Sequence, residues 1–285
     1  FRAAPLNDRT EVPLFELTKD KAVAHAAAFS YRRPGIMRGM LIVSNWKAYV
    51  ERTEKAKALV AIANRLARKG AHELVLAPPA PFLGLLASGK SKVKFAAQDI
   101  SLTTGGAQTG EVTAAAVAGA GASYVIVGHS ERRAGGETDS QVLEKVRHAL
   151  AHRLTPILCI GERERDEDAR YLKHIREQVA AVFSQLTPKE RLSIVIAYEP
   201  IWAIGKAAGE AITPPDLGEL VLYIRKVLGD YIPGKANQKV RILYGGAVEP
   251  TNIRQLASGS GVDGFLIGHA SVDVPTYGAL VKAIS

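Results

Sequence analysis

Tyr124-Val-Ile-Val-Gly128, a helix-period segment at 139–152 and Pro156-Ile-Leu-Cys-Ile160 make one complete strand, helix and strand unit, and its reading decides the fold. Both short runs are apolar at nearly consecutive positions, as a strand buried on both faces reads. Strands of that kind joined by a helical crossover lie parallel. The pattern extends outward in both directions, with apolar runs at 41–44, 73–77 and 93–97 before it and at 193–198, 240–244 and 262–267 after it. Helix-period segments at 51–69, 169–185 and 215–228 lie between runs. Thr187-Pro188 and Thr213-Pro214-Pro215 supply helix starts, and Gly70, Gly161 and Gly229 supply stops. Eight such units in about 245 residues predict an α/β fold, a single closed (β/α)8 barrel over 41–285. An open doubly wound sheet is the alternative, which a glycine-rich phosphate loop after the first strand would favour; the chain has Asn45-Trp46-Lys47 there.

Residues 1–40 stand outside this alternation and read as an N-terminal extension without assigned chemistry. Thr18 could cap a helix within 15–29, Tyr31-Arg-Arg-Pro-Gly reads as a turn, and Met37 or Met40 could be a native start. No apolar run approaches the roughly 18 residues of a membrane span, and the first residues lack the order of a secretory signal. The single cysteine, Cys159, excludes an internal disulfide framework and a multi-cysteine metal cluster, so a reducing, cytoplasmic setting is expected. The net charge of +9 calls for an anionic partner. Acidic residues interleave the basic ones, as in Glu162-Arg-Glu-Arg-Asp-Glu-Asp168, which favours a phosphorylated metabolite over nucleic acid.

Reactive groups of a (β/α)8 barrel gather at the C-terminal ends of its strands. Just past those ends lie Asn45 and Lys47 (first strand), His129 (fourth), Glu199 (sixth), Gly245-Gly246 (seventh) and Gly268 (eighth). Each has a plain reading alone: a solvated charge for Lys47, a helix cap for His129, an ion-pair partner for Glu199, turns for the glycines. Their joint placement brings an ammonium, an imidazole and a carboxylate to one mouth beside glycine turns.

Six motifs carry a resemblance over about 245 of the 285 residues. They are Ser-Asn-Trp-Lys at 44–47, Val-Gly-His-Ser-Glu-Arg-Arg at 127–133, Cys-Ile-Gly-Glu at 159–162, Ala-Tyr-Glu-Pro-Ile-Trp-Ala-Ile-Gly at 197–205, Tyr-Gly-Gly-Ala-Val at 244–248 and Val-Asp-Gly-Phe-Leu-Ile-Gly at 262–268. In this order and at these strand ends, they resemble the triosephosphate isomerase family. The resemblance implies a homodimeric TIM-barrel isomerase of glycolysis and gluconeogenesis that needs no metal or organic cofactor. Its substrate would be a small phosphorylated sugar, with a proton moved alpha to a carbonyl through an enediolate. It implies Glu199 as base, Lys47 and Asn45 as stabilisers of the oxyanion, and His129 as electrophile. In triosephosphate isomerases, the standard illustration of such tuning, the imidazole stays neutral at a helix N-terminus; here Ser130 and Glu131 would open that helix. The stretch from Pro200 resembles the family's lid, whose Trp202 would reach Glu162 on closure. Main-chain N–H groups of Gly205, Ala247, Gly268 and His269 would hold the phosphate.

The chain departs from the family pattern in the site. Lys206-Ala207-Ala208 stands where Thr-Gly-Lys is usual, Ala247 replaces a serine, and His269 replaces a second glycine. His269 could trim the phosphate pocket or add a cation to it. Gln108 replaces an aromatic in a loop resembling the family's dimer-interlocking loop. These departures keep two alternatives in view: the same chemistry on a longer ketose phosphate such as a tetrulose phosphate, or a phosphate-binding barrel without catalysis.

Overall fold

The computed structural model describes residues 39–70, 72–87, 91–166, 168–205 and 212–285. The expected helix within 15–29 and the departure at 206–208 lie outside them. Eight strands among the described residues form a closed parallel barrel in sequence order: β1 Leu41–Asn45, β2 Glu73–Ala77, β3 Lys94–Ala97, β4 Tyr124–Val127, β5 Thr155–Ile160, β6 Val195–Tyr198, β7 Ile242–Tyr244 and β8 Gly264–Ile267. All eight expected runs are strands. Pairing of β1 with β8, from Leu41↔Gly264 to Ser44↔Ile267, closes the cylinder and removes the open-sheet alternative. Closure depends on Gly264, because a Cβ there would run into the backbone of Leu41.

The apolar runs are continuous because each strand faces two cores. Leu41, Val43, Val75, Ala77, Ile126, Ile157, Cys159, Ala197 and Leu243 point into the barrel. Their neighbours Met40, Ile42, Leu74, Leu76, Val125, Leu158 and Ile196 pack outward under the helices. Strand period 2 thus puts the strand residues, apart from rim positions such as Glu73 and Lys94, against one apolar layer or the other.

The helices are α1 Thr53–Lys69, α2 Ala80–Ala87, α3 Ala114–Gly119, α4 Ser130–Ala134, α5 Asp139–Ala151, α6 Arg170–Phe183, α7 Pro188–Arg191, α8 Pro214–Gly229, α9 Ile253–Gly259 and α10 Val274–Ala283. In α1 the buried Ala56, Leu59, Ile62 and Ala63 recur at helical spacing, and Gly70 returns its N–H to the Leu66 carbonyl. Thr138 and Gln141 form a capping box on α5, and Thr187 and Glu190 form one on α7. Thr213 caps α8, whose first turn contains proline. Gly229 is a correction: α8 runs through it and is capped at Asp230, whose N–H finds the Val227 and Leu228 carbonyls. The N-terminal rim of the barrel is tied by Glu73, which accepts from Lys94 at 2.8 Å, the Tyr124 hydroxyl at 2.6 Å and Arg241 at 2.7 Å.

Candidate active site

At the other rim, β1 ends in a tight turn. Lys47 has φ 46°, in the left-handed region, which costs a residue with a side chain about 1–3 kcal/mol. Neighbours hold it there. The Asn45 side-chain oxygen accepts the Lys47 N–H at 3.1 Å, and the Gln98 amide donates to the carbonyls of Lys47 and Ala77, each at 2.9 Å. With its oxygen engaged, the buried Asn45 keeps its NH2 as the donor for the mouth. The Lys47 ammonium lies 2.8 Å from Glu131 Oε1. The end of β8 runs alongside, since a Cβ on Gly268 would lie 3.6 Å from Lys47 Cε.

His129 follows β4 and caps α4: its Nδ1 accepts the Glu131 N–H at 3.2 Å. A ring nitrogen that accepts carries no proton, so this contact selects the tautomer protonated on Nε2. That nitrogen faces Glu199 Oε1 at 3.2 Å, while Glu199 Oε2 accepts the Ser130 N–H at 3.0 Å. His129 and Glu199 are 6% and 2% exposed, so this pair meets with almost no water between. The Glu199 backbone is pinned by its N–H to Ile160 at 2.8 Å and packs so closely on Gly161 that a side chain there would overlap it. A Cβ on Gly245 would lie 2.9 Å from Glu199 Cγ, so the turn after β7 lies flat against the carboxylate.

Lys47, Glu131, His129 and Glu199 therefore form one run of contacts joining the ends of β1, β4 and β6. A buried carboxylate, an N–H-bearing imidazole and an ammonium can jointly remove a carbon-bound proton and hold charge that develops on oxygen. Cys159 beside them is unsuited as a nucleophile: burial first, and the nearby Glu199 second, push its thiol well up. Among the described residues, no group of three or more His, Cys, Asp or Glu could hold a metal ion.

The triosephosphate isomerase family profile matches residues 40–284. A triosephosphate isomerase of Roseiflexus castenholzii is 38% identical over 254 residues, covering 87% of this chain and 99% of the relative. One from Thermus thermophilus is 39% identical over 86% of this chain and 99% of the relative, and one from the fungus Coprinopsis cinerea 40% over 82% and 94%. The chain belongs to the triosephosphate isomerase family.

This triosephosphate isomerase family member also has a second buried carboxylate beside the mouth. Glu162 Oε1 accepts from the Tyr198 hydroxyl at 2.7 Å and from the Trp202 indole N–H at 2.9 Å. Trp202 sits in a 3-10 turn, Ile201–Ala203, that starts two residues after Glu199. The residues expected at the phosphate are less closely joined. Gly268 and His269 open a 3-10 turn after β8, and the His269 ring packs edge-on against Tyr49 with centroids 5.5 Å apart. Ala247 is buried, with its carbonyl bonded to Asn252 at 3.0 Å. Gly205 is exposed, with φ 77°, at the edge of the described stretch. No hydrogen bond or ion pair among the described residues links Gly205 or Ala247 to the Lys47–Glu199 group.

Sequence reasoning missed Gln98, Tyr198 and Arg165. Gln98 carries the same signal as the residues found, since it directly follows β3. Tyr198 is the last residue of β6 and reads as core; only the fold aims its hydroxyl at Glu162. Arg165 sits in a run of mixed charge that reads as solvated surface.

Proposed function

We propose that this chain interconverts dihydroxyacetone phosphate and D-glyceraldehyde 3-phosphate without a metal or organic cofactor. Glu199 takes the proton from one carbon and returns it to its neighbour. Nε2–H of His129 hydrogen-bonds the substrate oxygens and shuttles a proton between them. Lys47 and the Asn45 amide stabilise the enediolate oxygen. The phosphate rests on N–H groups of Gly205, Ala247, Gly268 and His269, with Ser130, Glu131, Glu162 and Trp202 supporting the reacting groups.

The observation that carries this reading is the 3.2 Å approach of His129 Nε2 to Glu199 Oε1 in a nearly dry setting, with the Nδ1 side closed by the α4 N–H. Substrate would exchange with contacts already made, taking the place of Glu131 at Lys47 and of Glu199 at His129. Residues 1–40 are proposed as an extension outside the catalytic unit.

A homodimer in the cytoplasm is part of the proposal. The loop at 99–113 supports the dimer through Leu102 and Val112, which are 41% and 37% exposed, apolar surface suited to a second copy, while the exposed Gln108 on the same loop puts a polar side chain in place of the family's aromatic. Among the described residues, no helix is long and apolar enough to cross a membrane.

A coupled isomerase assay on the full chain, with triose and tetrulose phosphates side by side, tests the function. Turnover higher on the three-carbon substrate is expected. A clear preference for the four-carbon one, or binding of phosphoglycolate with no turnover of either, would replace this reading with one of its rivals.

A further inference from the structure

Arg165 lies in the loop between β5 and α6 and touches residues on both sides of Glu199. Its guanidinium sits over the Trp202 ring at 5.1 Å and over the Tyr171 ring at 5.4 Å. Its Nη2 is 3.5 Å from the Tyr198 hydroxyl, and its Nε is 3.6 Å from Glu162 Oε1. Tyr198 immediately precedes Glu199, and Trp202 follows it by three residues. Glu162 is bound to the same turn through its main chain, its carbonyl accepting the Ile201 N–H at 2.9 Å.

The electrostatics give Arg165 a purpose. The Glu162 side chain is only 3% exposed, and one of its oxygens is buried without a partner. A buried carboxylate of that kind needs a nearby cation. Burial, with Glu162 adding to it, pushes the Tyr198 phenol well up, so its hydroxyl stays a donor to that carboxylate. Arg165 supplies the charge, and its flat face clamps the indole that donates the second hydrogen bond.

We propose that Arg165 is a positioning residue for Glu199. By balancing Glu162 and clamping Trp202, it fixes the chain on either side of the carboxylate and so sets the pivot about which Glu199 leaves His129 and Ser130 to meet substrate. This rests on the reading of Glu199 as the base. A base displaced by an ångström loses far more rate than binding, and Arg165 touches none of the residues proposed at the phosphate.

The test compares Arg165→Met and Arg165→Lys in the full chain. It reads kcat and KM on triose phosphate, affinity for inorganic phosphate, and acrylamide quenching of tryptophan fluorescence, in which the fully buried Trp46 is a constant background. For Arg165→Met we expect kcat to fall about tenfold or more, KM and phosphate affinity to stay within about twofold, and quenching to rise. Arg165→Lys keeps a cation beside Glu162 and the rings, and should recover a large part of kcat. Wild-type kcat in Arg165→Met, beside an inactive Glu199→Gln, would overturn the role of Arg165 alone. Equal loss of kcat and phosphate affinity in both variants would also overturn it, marking a general packing role. Normal turnover in Glu199→Gln would overturn the base assignment itself, and this proposal with it.

Discussion

The two rims of the barrel hold charge in opposite ways. At the N-terminal rim, Glu73 meets Lys94, Tyr124 and Arg241, and Arg241 also donates to the Tyr124 hydroxyl at 3.0 Å, so the cluster satisfies itself. Burial alone would raise the Glu73 carboxyl, yet these hydrogen bonds pull it down to about 2. At the C-terminal rim the contacts are of a kind a ligand can replace. Lys47 sits on a strained backbone with its ammonium toward an exposed Glu131, and Glu199 is held by one ring nitrogen and one main-chain N–H. Both rims are built from the same strands. The difference separates a rim whose charges are mutually satisfied from one whose charges rest on few contacts: local strain at the second rim is tolerated because the first rim and the double core hold the cylinder.

The sharpest way to break this contrast is at Glu199. Glu199→Gln keeps the shape and can still accept the Ser130 N–H but cannot take a proton, so turnover should fall on the order of 10³-fold or more. Affinity for inorganic phosphate should hold, and so should the melting temperature. Lys47→Met comes next. Loss of one donor to a developing oxyanion costs on the order of 10²–10³-fold in kcat, and Gly268 leaves room for the methionine. A Lys47→Met enzyme with unchanged kcat would move the oxyanion site elsewhere.

The fold was legible because one physical rule repeats. Strands buried on both faces must be apolar throughout, and every such run became a strand. The convergence of Asn45, His129 and Glu199 at one rim was legible because β1, β4 and β6 end at or just before them, and the barrel gathers strand ends. Less legible was anything set by side-chain direction. His129 caps α4 with one ring nitrogen and faces Glu199 with the other, so the cap reading and the candidate-site reading do not exclude each other. The His269 ring gave no warning that it would rest on Tyr49, because their approach depends on β8 lying beside β1. Arg165 was hidden by its surroundings. A run of alternating charge carries no period that distinguishes the one arginine folded inward over Trp202 from those facing solvent.

At the opposite rim the expected effects change kind, from rate to stability. Glu73→Gln should leave kcat within about twofold, because Glu73 lies at the far end of the barrel from Lys47. It should destabilise by about 1–3 kcal/mol, between the values for exposed and for buried ion pairs. The pH dependence has a definite sign. The folded carboxyl is held at about 2, below its ordinary value of 4.5, so its contribution is complete above 4.5 and is lost as pH falls from there toward 2. Denaturant titrations of both proteins across that window should show a steeper loss in the parent than in Glu73→Gln. Parallel curves would mean that the cluster is no more ordered than a surface ion pair.

The smallest effect lies at His72, where the N-terminal rim holds the last turn of the chain. Its Nε2 donates to the Ile284 carbonyl at 3.0 Å, while Nδ1 is buried without a partner. Burial lowers the imidazole from its ordinary 6.5, and the Ile284 hydrogen bond opposes this only in part. The folded ring therefore resists a proton that the unfolded chain accepts. Stability from this site is complete above 6.5 and declines as pH falls below it toward the lowered folded value, the direction opposite to that of a histidine paired with a carboxylate. His72→Gln retains a donor for Ile284 and removes the titration. It should cost about 1 kcal/mol or less at pH 8 and flatten the loss of stability just below pH 6.5. Hydrogen exchange of the α10 amides should follow the same course in the parent, faster at pH 5.5 than expected from chemistry alone, because Ile284, which His72 holds, caps α10. Uniform α10 protection across that range, with His72→Gln no different, would place the titration outside the contact between His72 and the end of the chain.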